Sequence, residues 1–453
     1  MAKRKTKLYL FLLLTFMLVA SVAAGCSGGD SKPAGGEAAS SGDGKGNAAN
    51  PNELKATIKV WDWDETFQKT MIPEFNKKYP NIKVEYTVVN PNDYLQKLQS
   101  GIASGSDVPD VILSEMAYRG KLFDLDVLDN IEKAPYNFKR AELLDYLIPL
   151  LTNSKGELVG VDQQITPAGL AYRRDLAKQY LGTDDPAQLE KLLPDWNAFI
   201  AKGIEVKEKS GGKVTMFAGL SDAFGVLRGQ NAMEYIKGKE IDLTKRMKGP
   251  LDTLFKMRNA GILGKYEMSS PAWSSSLSKG ENIFYGMAPW GPKWNISAND
   301  KDGKGRWGLV KAPGGGYTLG GTAVSIYKDS KQKQAAWAFI NFCYVSDEGT
   351  KIALEKFGFT PGIKSFYTKN ADLVNKGSEF DAFFGGQNLT KYFIDKIVPD
   401  LKGQAQTKYE SIVDGAFKTL YPLWTQDTSI DADKALEKFK AEVKSKAPDA
   451  VLK

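Results

Sequence analysis

From residue 56 onward the chain alternates between two hydrophobic periods, and this alternation restricts its fold more than any other feature. In "ATIKVW", Ala56, Ile58 and Val60 share one face at period two, after which Phe67, Met71, Phe75 and Tyr79 recur every four residues, as on one side of a helix. "NIKVEYTVV" alternates again, Leu95, Leu98 and Ile102 form a second helical stripe ended by "SGSDVPD", and the apolar run Val111 to Leu113 reads as a buried parallel strand. A β-α-β-α-β succession builds a parallel sheet with helices on both faces, and open sheets of that kind bind ligands beyond the carboxyl ends of their strands. The segment "WDWDE", Trp61 to Glu65, stands at one of those ends and sets two tryptophans beside three carboxylates.

The N-terminus has a different character. Lys3, Arg4, Lys5 and Lys7 precede the apolar run "LYLFLLLTFMLVASVAAG", the layout of a secretory signal. "AAGC", Ala23 to Cys26, resembles the bacterial lipobox, although the family pattern prefers Leu where Ala23 stands. Residues 1–25 are therefore expected to be a signal peptide, with Cys26 the site of lipid attachment; an uncleaved anchor helix is the alternative, since the run approaches the roughly 20 residues that span a bilayer. Residues 26–51 are rich in Gly, Ser and Ala and read as a flexible tether, which places the protein on the outer face of the bacterial cytoplasmic membrane.

Composition removes several functions. The formal charge of +7 falls to +3 once the four cationic residues of the signal are gone, too weak for a nucleic-acid surface. The chain contains no histidine and only two cysteines, so the commonest general base, the commonest metal ligand and thiolate clusters are missing, and no cofactor or metal is expected. Cys343, inside "AAWAFINFCYV", reads as a buried apolar residue, and with Cys26 lipidated no intramolecular disulfide can form. An enzyme working through carboxylates alone stays open, with Asp62, Asp64, Glu65 and Glu115 as its material.

The segments "FNKKYPNIKVEY", "LQSGIASGSDVPDVI", "GELVGVD", "GLAYRRDL", "SKGENIFYGMAPWGPKWNI", "GGTAVSIYKDSKQKQAAWAFINF" and "GFTPGIKS" run through most of the chain. In order and spacing they resemble the extracellular solute-binding proteins of ABC importers, in particular the sugar-binding group related to maltose-binding protein. The resemblance implies an α/β fold of the two-lobe periplasmic-binding-protein type II, with a ligand cleft between lobes joined by three crossings. By analogy these fall near Gln164 to Pro167, Trp307 to Lys311 and Phe359 to Ile363, giving one lobe of residues 52–165 and 312–362 and another of 166–311 and 363–453. It further implies a monomeric, membrane-anchored receptor, not an enzyme, which hands a carbohydrate, an oligosaccharide by expectation, to the permease subunits of an importer and their ATPase. A receptor of the same fold for a polyamine or another small solute is the rival reading.

A sugar ring presents apolar C–H faces and a rim of hydroxyls, so its site needs flat aromatic surfaces and carboxylate or amide acceptors. "WDWDE" supplies both in one loop, and by the resemblance Trp63, Asp64 and Glu65 reach the cleft. Trp61 is assigned to the core, and Asp64 equally suits the N-cap of the following helix. "MAPW", residues 287 to 290, matches a tryptophan-bearing segment of the maltose-binding group and brings in Trp290, with Trp294 four residues on. "SDAF", residues 221 to 224, offers Asp222 and Phe224, while Glu115, Gln164 and Tyr409 are candidates by position. For each of them a core or solvated role is the competing assignment.

Overall fold

The computed structural model describes residues 53–453. Strand β1 (Ala56–Asp62) pairs in parallel with β2 (Ile82–Val88) along its whole length and with β3 (Val111–Glu115) at Val60. The two intervening connections are the helices Glu65–Lys78 and Pro91–Ser104, as the four-residue stripes require. Asp64 starts the first by accepting from the Phe67 amide at 3.1 Å, and the buried face carries Phe67, Met71 and Phe75. Strand β12 (Thr322–Ile326) returns from much later in the chain, runs antiparallel between β3 and β4 (Val161–Asp162), and completes the order β2-β1-β3-β12-β4.

The second sheet is centred on β5 (Pro167–Arg173), every residue of which is buried. It lies antiparallel between β9 (Asn282–Met287) and β10 (Trp307–Val310), β6 (Thr215–Phe217) adds to β9 in parallel, and β11 (Tyr317–Thr318) pairs with the start of β5. A small third sheet joins β7 (Ile236–Lys237), β8 (Glu240–Ile241) and β13 (Val451–Leu452).

Each large sheet has its own core. Around the first lie Trp61, Phe67, Phe75 and, from the helix Lys333–Tyr344, Phe339 and Cys343; around the second lie Tyr172, Phe199, Phe284 and Trp424. The chain is therefore a mixed α/β protein of two lobes. It passes between them through residues 163–166, again through 319–321, and a third time beyond Val374. The second passage comes later than the resemblance suggested because Tyr317 and Thr318 still pair with β5. The third also comes later, because Phe366 and Val374 remain in the first core. At the second passage Gly320 and Gly321 take φ of 70° and 120°, a backbone that side chains with a Cβ resist.

Inside the first lobe the helix Asp347–Phe357 begins hard against its predecessor. A Cβ on Gly349 would stand 1.9 Å from the Phe342 carbonyl oxygen, so the two helices meet only because this residue has none. Alanine is otherwise favoured over glycine in a helix by about 1 kcal/mol. We expect Gly349→Ala to reverse that sign and destabilise the protein by about 1–3 kcal/mol, measured as a lowered urea midpoint at unchanged slope.

Candidate functional site

The opening motif divides its residues among different tasks. Trp61 ends in the core, 1% exposed. Asp62 is also buried and accepts from the amides of Trp63 (2.6 Å) and Asp64 (3.0 Å) and from the Gln68 side chain (2.5 Å). Loss of water pushes its carboxyl up to about 6, while these three donors hold the shift back. Trp63 is half-buried and packs edge to face with Tyr94 at 5.8 Å, and Glu65 is exposed in an ion pair with Lys69 at 2.9 Å. Asp64, besides capping its helix, faces the Lys293 ammonium across 3.5 Å.

A cavity of about 400 Å³ opens elsewhere between the lobes. The first lobe supplies Met116, Ala117 and Lys121 from the helix Met116–Asp124; the second supplies the helices Leu220–Gln230 and Lys408–Gln426; and Thr318 to Gly320, at the second passage, form part of the wall. Its aromatic wall is a ladder. Phe224 stacks on Phe417 with centroids 4.0 Å apart and planes 9° from parallel, and Phe417 continues onto Tyr421 at 5.6 Å and 28°. Phe224 is the buried inner rung of the ladder, whereas Phe417 and Tyr421 are half-buried. Apolar ring surface is thus offered to the cavity.

Polar groups surround the ladder. Arg228 is bonded to Asp414, and Glu410 accepts from Tyr235 at 2.8 Å and from Gln404, its carboxyl raised by burial. Lys121, Lys402 and Lys418 rim the opening. Hydroxyl-rich ligands suit such a wall, because carboxylates, amides and ammonium groups each complement a hydroxyl as acceptor or donor. At one end helix Met116–Asp124 comes so close to the second lobe that a Cβ on Gly120 would lie 1.9 Å from the Thr407 carbonyl. Beyond this seam a shallower depression of about 710 Å³ is lined by Asp124, Lys408 and Tyr409 and shares Lys121.

Of the residues singled out in the sequence, Phe224 lines the cavity. Glu115 stands beside it, half-buried, with its carboxylate accepting from the Ala117 amide at 2.6 Å and capping the helix whose first residues do line it. Trp290 donates to the Leu319 carbonyl at 3.1 Å and sits against Gly320, so it supports the wall from behind. Gln164 is buried in the first passage, Trp294 is 49% exposed outside the cavity, and Tyr409 points to the Asp449 carboxylate at 3.0 Å in the shallower depression. Asp222 is turned inward, accepting from Trp273 Nε1 at 2.9 and 3.0 Å, because an unpartnered carboxylate in this core would be too costly. Cys26 lies outside the described residues. The residues missed are Phe417, Tyr421, Arg228 and Asp414; the four-residue spacing of Phe417 and Tyr421 was the one available signal, and it is shared with any buried helical stripe.

The chain belongs to the bacterial extracellular solute-binding proteins: the profile of that family matches residues 70–381. It is 25% identical over 419 residues to the arabinooligosaccharide-binding protein of Bacillus subtilis (strain 168), covering 86% of this chain and 88% of that one. Among solved structures, an extracellular solute-binding protein of family 1 superposes with a TM-score of 0.76 at 20% identity, over 86% of this chain and 100% of the other. The galacto-N-biose/lacto-N-biose I-binding protein of the ABC transporter from Bifidobacterium longum gives 0.70 at 18%, over 89% and 100%. Among the described residues no helix is long and apolar enough to cross a membrane.

Burial pushes the Asp222 carboxyl up to about 7, with the Trp273 bond opposing it. A raised carboxyl favours the folded state most below its unfolded value of about 4 and loses that contribution as pH rises through about 7. Asp222→Asn keeps an acceptor for Trp273 and removes the titration. Its stability should fall less than that of the parent between pH 4 and 7, read from urea midpoints across that range.

Proposed function

We propose that this protein is a membrane-anchored receptor that captures an oligosaccharide in the cavity between its lobes and delivers it to the permease of an ABC importer, performing no catalysis itself. The observation that carries the reading is the ladder of Phe224, Phe417 and Tyr421 in an interlobe cavity bordered by hydrogen-bonding side chains. Stacked aromatic faces suit the C–H faces of sugar rings, and the polar border suits their hydroxyls. Relatives and structural neighbours named for oligosaccharide binding point the same way. Anchoring through Cys26, by the "AAGC" segment and the tether after it, would keep the receptor beside its permease.

A polyamine suits the cavity less well. Its wall carries Lys121, Arg228, Arg246, Lys402 and Lys418 against Glu267, Glu410 and Asp414, a cationic surplus that repels a polycation. The mixture of rings and carboxylates in "WDWDE" would also suit a polyamine, but Asp64 there already has an ammonium partner, Lys293.

A thermal-shift panel of arabino-, galacto- and malto-oligosaccharides with spermidine and putrescine tests the reading. A ligand at about 100 times its dissociation constant adds roughly 2.7 kcal/mol to stability, and for lobes of this size each kcal/mol raises the melting temperature by about 2–4 °C. An oligosaccharide is expected to give a clear shift, and a shift by polyamines with none by any sugar would overturn the assignment. For the sugar giving the largest shift, Phe417→Ala should weaken binding about tenfold or more by calorimetry, since ring anchors dominate such sites and 1.4 kcal/mol is a factor of ten.

A further inference from the structure

Away from the cavity, one ammonium group bridges the lobes. Lys293 projects from the wide helical turn Pro292–Ser297, which packs through Ile296 with the second lobe. Its Nζ reaches the first lobe, 3.5 Å from Asp64 Oδ2, 4.9 Å from the centre of the Phe357 ring and 6.0 Å from that of Phe359. Trp294, from its own turn, covers it at 4.5 Å. The side chains of Asp64 and Lys293 are only 5% and 23% exposed, so salt screens this pair less than a surface pair. Phe357 and Phe359 are fixed against Phe67 at 5.2 and 5.4 Å, which makes the receiving side a preformed cage of two rings and a carboxylate.

We propose that Lys293 is a clasp: a positioning residue that holds the lobes in the arrangement able to enclose ligand, while touching no part of the cavity. This rests on the receptor reading above. None of Asp64, Lys293, Phe357 or Phe359 lines the cavity, so the clasp acts on the balance between open and closed lobes and not on ligand contacts. A contact made only when the lobes meet shifts that balance toward closure by its own free energy. Apparent affinity then scales with the closed fraction.

Two conservative variants isolate the charge. Lys293→Met keeps the aliphatic stem in the cage, and Asp64→Asn keeps an N-cap acceptor for the Phe67 amide. Small-angle scattering of the ligand-free protein should show a larger radius of gyration in each variant and no further rise in the double variant, while the parent in 1 M salt should expand less than the variants, because the pair is largely shielded from ions. Melting temperatures should move by no more than about 2–4 °C, because each lobe keeps its own core. Affinity for the best sugar of the panel should fall roughly fivefold or more in either single variant. Unchanged scattering and affinity in both single variants, or a double variant that multiplies the two losses, would overturn the clasp. Expansion of the variants with no carbohydrate binding would leave the clasp standing and remove the carbohydrate reading; tight sugar binding without expansion would do the reverse.

Discussion

The pairing of β12 with β3 and β4 is the constraint on which the rest of the architecture depends. Val324 lies opposite both Leu113 and Val161, so the middle of the first sheet is built from three distant parts of the sequence. Because β12 sits inside the sheet, its removal would expose two unpaired strand edges at once. The same geometry fixes the second lobe, since the chain must leave after β4, build β5 to β11, and return. Two lobes tied in this way are joined by several passages of the chain and not by a single linker.

The first lobe's beginning was the most legible part of the sequence. Its strands and helices switch cleanly between periods of two and four, and burial follows those periods at Ile58, Val60, Phe67, Met71 and Phe75. Periodicity gives no register between distant strands, however, and the second passage, placed by analogy with the family, falls later in this chain because of one such pairing. Trp307 to Val310 reads as a strand leading out of a lobe, but whether the chain leaves depends on the pairing of Tyr317 and Thr318, ten residues on.

The candidate site was less legible because its side chains serve two masters. Trp290 and Asp222 carry the chemistry of sugar contacts, yet one hydrogen-bonds a backbone carbonyl and the other an indole inside the protein. Phe417 and Tyr421 look like an ordinary buried stripe, continued by Trp424, which is indeed fully buried. Only the placement of their helix against the first lobe turns part of that stripe toward a cavity. In "WDWDE" the mixture of rings and carboxylates is explained by four separate demands: a core tryptophan, a buried acceptor for loop amides, a helix cap, and a partner for an ammonium group from the other lobe.

The late return of β12 also sets a timetable for synthesis. Roughly two hundred residues separate β3 from the strand that pairs with it, and at about 5–20 residues per second their translation takes on the order of 10–40 s. Throughout that interval the first sheet lacks an interior strand, and long-range pairings of this kind are the slow ones to form. The pairing that ties the finished lobes together therefore also leaves the first sheet open until most of the chain has been made.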